Sequence, residues 1–191
     1  FYDLTGGTAS GMTDSKLPDG QAGAEKALNH ALVGNAGANM IYESAGMHAS
    51  LLGFSLESLV IDNDIIGATQ RTIKGIEVND ERLSFETIKD VCLNGPGHFL
   101  GSDQTLQLMQ TEYLYPGVGD RKSPNEWNEQ GALDVAQRAM AKVEEILAHN
   151  FPSHIAESVD AEIRRRFPVK LDRAHMLPPV DSAAARRVGS R

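Results

Sequence analysis

A single cysteine, Cys92, stands in 191 residues. No disulfide framework can form within the chain, and a cysteine-rich zinc site is excluded. A reducing, cytoplasmic setting fits this usage. Cys92 falls on the apolar stripe of a short expected helix, where it reads as a small core residue. Basic charge is also scarce. Eighteen Lys and Arg face twenty-six Asp and Glu, a net charge of -8, which argues against a general nucleic-acid surface. The basic runs Arg164-Arg165-Arg166 and Arg186-Arg187 read as solvated faces. No apolar run approaches a membrane span, so no membrane partner is expected. No nucleophile elbow, phosphate loop or dinucleotide fingerprint occurs, and Gly6-Gly7 alone is too little to imply phosphate binding.

What is present is an ordinary globular composition, 41% apolar and 23% charged, long enough for one sizeable core or a domain with an extension. The chain opens on Phe1 with no signal-peptide pattern and is expected to continue a longer polypeptide.

Two strand–loop–helix units come first. Residues 1 to 8 read as a short strand. The loop from Gly11 to Gly23, rich in Gly, Pro, Asp and Ser, leads into a helix expected over about Gln21 to Val33. Ala24, Ala27, Leu28, Ala31 and Leu32 mark its inward face, and Gly34-Asn35 its stop. A second strand is expected over Ala38 to Tyr42, followed by the loop from Glu43 to His48. Two such units in succession suggest parallel strands with both loops on one rim, where α/β enzymes place their chemistry.

Helices then dominate. Ser55 is the expected cap of a long helix to Lys74, with Leu56, Leu59, Val60, Ile66 and Ile73 inward and Gly75 as terminator. Asp62-Asn63-Asp64 cannot all face solvent at about 100° per residue, so at least one points into a junction or cleft. Further helices are expected after Ser84, after Ser102 or Asp103, after Ser123-Pro124, over about Ala132 to His149, and along Ile155, Val159, Ile163 and Phe167. From about Leu177 the chain reads as an extended tail.

Four polar groups are candidates for chemistry. Met12, Asp14 and Lys16 lie in the opening loop; Asp14 and Lys16 can orient a charged ligand, or Asp14 can bond loop amides and pair with Lys16. Tyr42, Glu43 and His48 follow the second strand; an aromatic face beside a carboxylate suits a cation, above all a quaternary ammonium, and the alternative is a buried hydrogen-bonded network. His98, flanked by Gly97 and Gly101 and followed by Asp103, can reach a cleft as acid, base or donor, or simply pack a turn. Glu112, Tyr113, Tyr115, Asp120 and Arg121 read as a structural salt-bridge set. His48, His98 and Asp103 would be the ligands of a metal-dependent hydrolase, but no ligand spacing supports one.

The run Thr13-Asp14-Ser15-Lys16-Leu17-Pro18-Asp19-Gly20-Gln21-Ala22-Gly23-Ala24-Glu25-Lys26 resembles the trimethylamine methyltransferase family. So do Gly37 to Met47, Leu59-Val60-Ile61-Asp62-Asn63-Asp64 and Gly97-His98-Phe99-Leu100-Gly101. The resemblance runs in order from about Gly11 past Trp127. It implies an α/β fold, the C-terminal part of a (β/α)8 TIM barrel: the last two strand–helix units over 1–75, with strands near Leu4 and Met40, a helical extension over 76–176, and a tail over 177–191. The rest of the barrel, or another subunit, would cover the strand edges, and a homo-oligomer is expected.

Archaeal members that demethylate trimethylamine carry pyrrolysine just before the Ser/Thr-Asp-x-Lys-x-Pro-Asp motif, a position held here by Met12. Methionine cannot form the pyrrolysine adduct. The resemblance therefore implies a member of the glycine betaine type, moving a methyl group from a quaternary amine to the cobalt(I) of a separate corrinoid protein, with no metal bound directly. It places Met12, Asp14 and His98 in catalytic positions, and Tyr42, Glu43, His48 and Asp103 against substrate. The alternative is a non-catalytic amine-binding relative, or a fragment of a larger barrel protein.

Overall fold

The structure, a computed structural model, describes residues 4–151 and 155–178. It is a mixed α/β chain dividing into two compact units, Phe1–Ala139 and Met140–Arg191.

The first unit opens with a β–α–β motif. Strand β1 (Gly7–Ala9), helix α1 (Gly20–Asn35) and strand β2 (Met40–Tyr42) follow in order. The strands pair in parallel, with Gly7 opposite Met40, Thr8 opposite Ile41 and Ala9 opposite Tyr42. Parallel pairing requires a crossover, which α1 provides. The first strand lies three residues beyond Leu4, because pairing begins only where Asn39 and Met40 donate their amides to the Gly6 carbonyl. The Asn39 side chain accepts from the Gly6 amide in return, at 3.0 Å.

A hairpin absent from the sequence reading comes next: β3 (Met47–His48) against β4 (Gly53–Phe54), antiparallel. Helix α2 (Leu56–Lys74) follows. Ser55 caps it as expected, its hydroxyl accepting from the Ser58 amide at 3.1 Å, and Gly75 at φ 67° ends it.

Helix α1 packs on α2 through a face opposite to the expected one. Its buried positions are Ala22, Lys26, His30 and Gly34, spaced at four residues, whereas Leu28 and Leu32 are 61% and 63% exposed. Gly34 permits the close approach, since a β-carbon there would run into Ile73 and Thr69. On α2 the buried residues are Ser58, Asp62 and Thr69, while Leu56, Leu59 and Ile73 stay partly open to solvent. The buried part of the seam between the two helices is thus largely polar, with Ile73 of α2 against Gly34, and the apolar stripe that periodicity singled out on α1 faces away from it.

The remaining helices of this unit are α3 (Asp80–Leu83), α4 (Phe85–Leu93), α5 (Asp103–Thr111), α6 (Pro124–Glu129) and the first residues of α7 (Val135–His149). Ser84 makes no side-chain cap: it sits in the left-handed region at φ 57°, turning the chain from α3 into α4. Cys92 is exposed rather than core, and Val91 is the one α4 residue that is buried. Ser102 caps α5, and Ser123 with Glu126 forms a full capping box with Pro124 in the first turn. Asp64 accepts amide hydrogens from Gly117, Val118 and Gly119 at 2.7 to 2.9 Å, fixing that loop to α2.

In the second unit, the rest of α7 leads to α8 (Glu157–Arg166) and a short 3-10 helix (Arg173–Met176). Asp160 accepts from Arg164 and Arg173 at 2.9 and 2.7 Å. Arg165 and Arg166 pair with Glu162 in solvent. The last helix begins at Glu157, two residues after Ile155. Arg186-Arg187 and the tail beyond 178 lie outside the described residues.

Candidate functional site

The parallel register brings the C-terminal ends of β1 and β2 to one rim, and the Ser10 amide donates to the Tyr42 carbonyl at 3.3 Å. Two loops leave this rim side by side: Ser10 to Asp19, carrying Met12, Asp14 and Lys16, and Glu43 to Gly46. Tyr42 is 50% exposed and Glu43 is exposed at φ 58°. Met12 is half-buried and Asp14 exposed. One edge of the fold therefore presents an aromatic face and two carboxylates in neighbouring loops.

Both loops are held from below by the polar seam. The imidazole of His30 lies between them. Its Nε2 is 2.9 Å from the Ser44 carbonyl and its Nδ1 is 3.3 Å from the Ser10 hydroxyl. A carbonyl only accepts, so Nε2 carries the proton and Nδ1 accepts from Ser10. Gly11 crosses this ring at φ 91°, and a β-carbon there would collide with His30 and with the Ser44 carbonyl. Lys26 and Asp62, 1% and 2% exposed, form an ion pair of 2.6 Å. The same Asp62 oxygen accepts the Gly46 amide at 2.7 Å. Asp62 is thus one member of the Asp62-Asn63-Asp64 run that enters a junction, and Asp64 enters another against the 117–119 loop.

The loop with Met12 has a further anchor on α1. Glu25 accepts from the Thr13 hydroxyl at 2.5 Å and from the Asp14 amide at 2.9 Å. The hydrogen bond from Thr13, then those from Gln21 and the Asp14 amide, hold the Glu25 carboxyl below the usual glutamate range. Lys16 donates to the Asp14 backbone carbonyl at 2.8 Å and not to its carboxylate. The Asp14 carboxylate instead accepts from the Ser50 hydroxyl at the tip of the hairpin.

His48 is buried at 4% exposure, and both ring nitrogens are engaged within the chain. Nδ1 donates to the Ser15 carbonyl (3.1 Å) and Nε2 accepts from the Ser58 hydroxyl (2.5 Å). His48 is thus in a buried network with Ser15 and Ser58 rather than with Tyr42 and Glu43, which stay exposed. His98 and Asp103 are exposed near the start of α5, and no side-chain hydrogen bond found ties either to the rim loops. Among the described residues, no three His, Cys, Asp or Glu side chains come together as a metal-binding group. Glu112 gathers Arg71, Lys74 and Arg82 at 3.0 to 3.3 Å, a salt-bridge cluster away from the rim, as its sequence context suggested for Glu112.

The residues that sequence reasoning missed are Glu25, Lys26, His30 and Ser50. The signal for two of them is visible in retrospect, because Ala22, Lys26, His30 and Gly34 recur at the four-residue spacing of one helix face.

Comparison with known proteins bears on what such a rim serves. The family model of trimethylamine methyltransferase matches residues 1–171. Trimethylamine methyltransferase MttB1 of Methanosarcina acetivorans is 38% identical over 177 residues, 91% of this chain and 34% of that protein. Trimethylamine methyltransferase MttB of Desulfitobacterium hafniense is 35% identical, over 86% of this chain and 32% of its own length. The glycine betaine methyltransferase of Desulfitobacterium hafniense is 29% identical, over 86% of this chain and 34% of its own length. The chain thus spans about a third of the length of the curated relatives it matches.

Proposed function

The chain belongs to the trimethylamine methyltransferase family, and from that premise we propose that it supplies part of the substrate rim of a cytoplasmic methyltransferase that demethylates a quaternary amine of the glycine betaine type. The observation that carries the reading is the pairing of Ala9 with Tyr42. It sets the loop of Met12 and Asp14 beside Tyr42 and Glu43.

A quaternary ammonium has no N–H to donate. Recognition must come from an aromatic face and from nearby negative charge, with a cation–π contact worth about 0.5–2 kcal/mol. Tyr42, Glu43 and Asp14 are exposed at the rim to provide these. Met12 stands where pyrrolysine would form its adduct with a tertiary amine, and its thioether offers no such chemistry. A quaternary nitrogen requires none, because it is already a cationic leaving group.

The methyl acceptor is a partner protein's corrinoid cobalt(I), which donates the electron pair that forms the new bond to carbon. The C–N pair departs with the nitrogen, leaving a neutral tertiary amine. The work of this chain is to bind, orient and desolvate the ammonium so that one methyl group points out of the rim in line with the acceptor. His98 and Asp103 would join the site through the remainder of the protein. In this reading the two strands are the last two of a (β/α)8 barrel, 1–75 belongs to that barrel and 76–176 extends it. A homo-oligomer completes the assembly.

Calorimetric titration of the full-length protein with glycine betaine, carnitine, proline betaine and trimethylamine tests the binding half. Heat with a quaternary amine, reduced about two- to thirtyfold in affinity by Tyr42→Ala or Glu43→Ala, is the expected result. Binding of trimethylamine alone would overturn the role given to Met12.

A further inference from the structure

The hairpin between β2 and α2 has an unusual tip. Ala49, Ser50 and Leu51 take φ of 50°, 55° and 73° in succession, with no glycine or asparagine among them. Such conformations are costly for ordinary side chains and persist only where surrounding contacts over-determine them. The Leu52 amide donates within the tip, to the Ala49 carbonyl at 3.1 Å, and three further hydrogen bonds run to the Met12 loop. The Ala49 amide donates to the Ser15 carbonyl at 3.0 Å and the Ser50 amide to the Thr13 carbonyl at 3.2 Å. The Ser50 hydroxyl donates to the Asp14 carboxylate.

Asp14 is thereby gripped from three sides. Glu25 takes its amide, Lys16 donates to its carbonyl, and Ser50 holds its carboxylate. The first two fix only the backbone. Ser50 alone sets where the negative charge sits.

We propose that Ser50 is a positioning residue, a latch through which the strained hairpin tip aims the Asp14 carboxylate at a cationic substrate on the rim. The proposal rests on the amine-binding reading of that rim. It assigns the hairpin a task that the family match does not assign, and it explains why left-handed backbone is kept at three residues unsuited to it.

Three substitutions in the full-length protein separate hydroxyl from backbone. Ser50→Ala removes the hydroxyl and keeps the strain. Ser50→Gly removes both. Ser50→Asn tolerates the left-handed region and restores a donor. Amide hydrogen exchange at Thr13 to Lys16 is read first, because it needs no ligand, and glycine betaine affinity second. The latch predicts exchange about tenfold faster at Asp14 and Ser15 in both Ser50→Ala and Ser50→Gly, the equivalent of one hydrogen bond to a charged group. It predicts amine binding weakened about five- to tenfold in parallel, and recovery of both in Ser50→Asn. A Ser50→Gly protein that matches wild type while Ser50→Ala does not would make strain the whole effect and overturn the latch. So would unchanged exchange in all three, or faster exchange with unaltered amine affinity. Wild-type protein that binds no amine would refute the reading of the rim, while the exchange comparison would still decide whether Ser50 holds the loop.

Discussion

At the scale of single residues, the buried Lys26–Asp62 pair is where the candidate site meets stability. Charges at 1% and 2% exposure have lost their water, and each is tolerated only because the other is present. Lys26→Met is expected to destabilise the full-length protein by about 3–5 kcal/mol, since it strands Asp62 as an uncompensated buried charge. Adding Asp62→Asn should recover most of that loss, because a neutral amide still accepts the Gly46 amide that Asp62 holds. Denaturant unfolding of the two variants checks this. Equal stability of wild type and Lys26→Met would show that the pair does not hold the rim loop. His48 is a case where burial decides between two readings of one residue. With one nitrogen on the Ser15 carbonyl and the other on the Ser58 hydroxyl, it ties the Met12 loop to α2 and has no ring nitrogen left for a ligand.

At the scale of elements, α1 is the support on which the rim is built. It sends Glu25 to Thr13 and Asp14, Lys26 to Asp62, and His30 to Ser10 and Ser44. Glu25 is ionised more readily in the fold than in the unfolded chain. Its contribution is therefore complete above the ordinary glutamate range and is lost as pH falls through its depressed folded value. Glu25→Gln should lower the thermal midpoint at neutral pH, and the gap to wild type should close on acidification. A gap that is constant with pH would assign the effect to shape rather than charge. The same helix marks where sequence reading succeeds and fails. Ser55 before α2, and Ser123-Pro124 before α6, were legible because a cap is local chemistry within three residues. The inward face of α1 was not. Periodicity picks out the stripe richest in Leu and Ala, and here that stripe faces away while a polar one is buried. The hairpin escaped notice because strands of two residues show no alternation and its left-handed tip contains no Gly or Asn to announce it. The loop candidates Asp14, Tyr42 and Glu43 were legible from strand–loop–helix order alone. Their supports were not, since Lys26–Asp62 and Ser50–Asp14 each join residues 36 apart, and only the fold brings such pairs together.

At the scale of the whole molecule, the described residues leave much apolar surface uncovered, including Leu28, Leu32, Met40, Leu52 and Phe54 at 58–91% exposure. Chains of this composition do not keep such surface in water without a partner. Relatives about three times as long indicate where cover would come from in the proposed barrel, and the outward apolar stripe of α1 fits that role. No described helix is long and apolar enough to cross a membrane. The central claim concerns that larger assembly, and methyl transfer itself tests it most directly. The full-length protein would be mixed with cob(I)alamin and one amine at a time, following loss of the cobalt(I) absorbance and release of the demethylated amine. The account predicts equimolar loss and release with a quaternary amine such as glycine betaine, and none with trimethylamine. Turnover of trimethylamine alone, or of no amine in the panel, would contradict it.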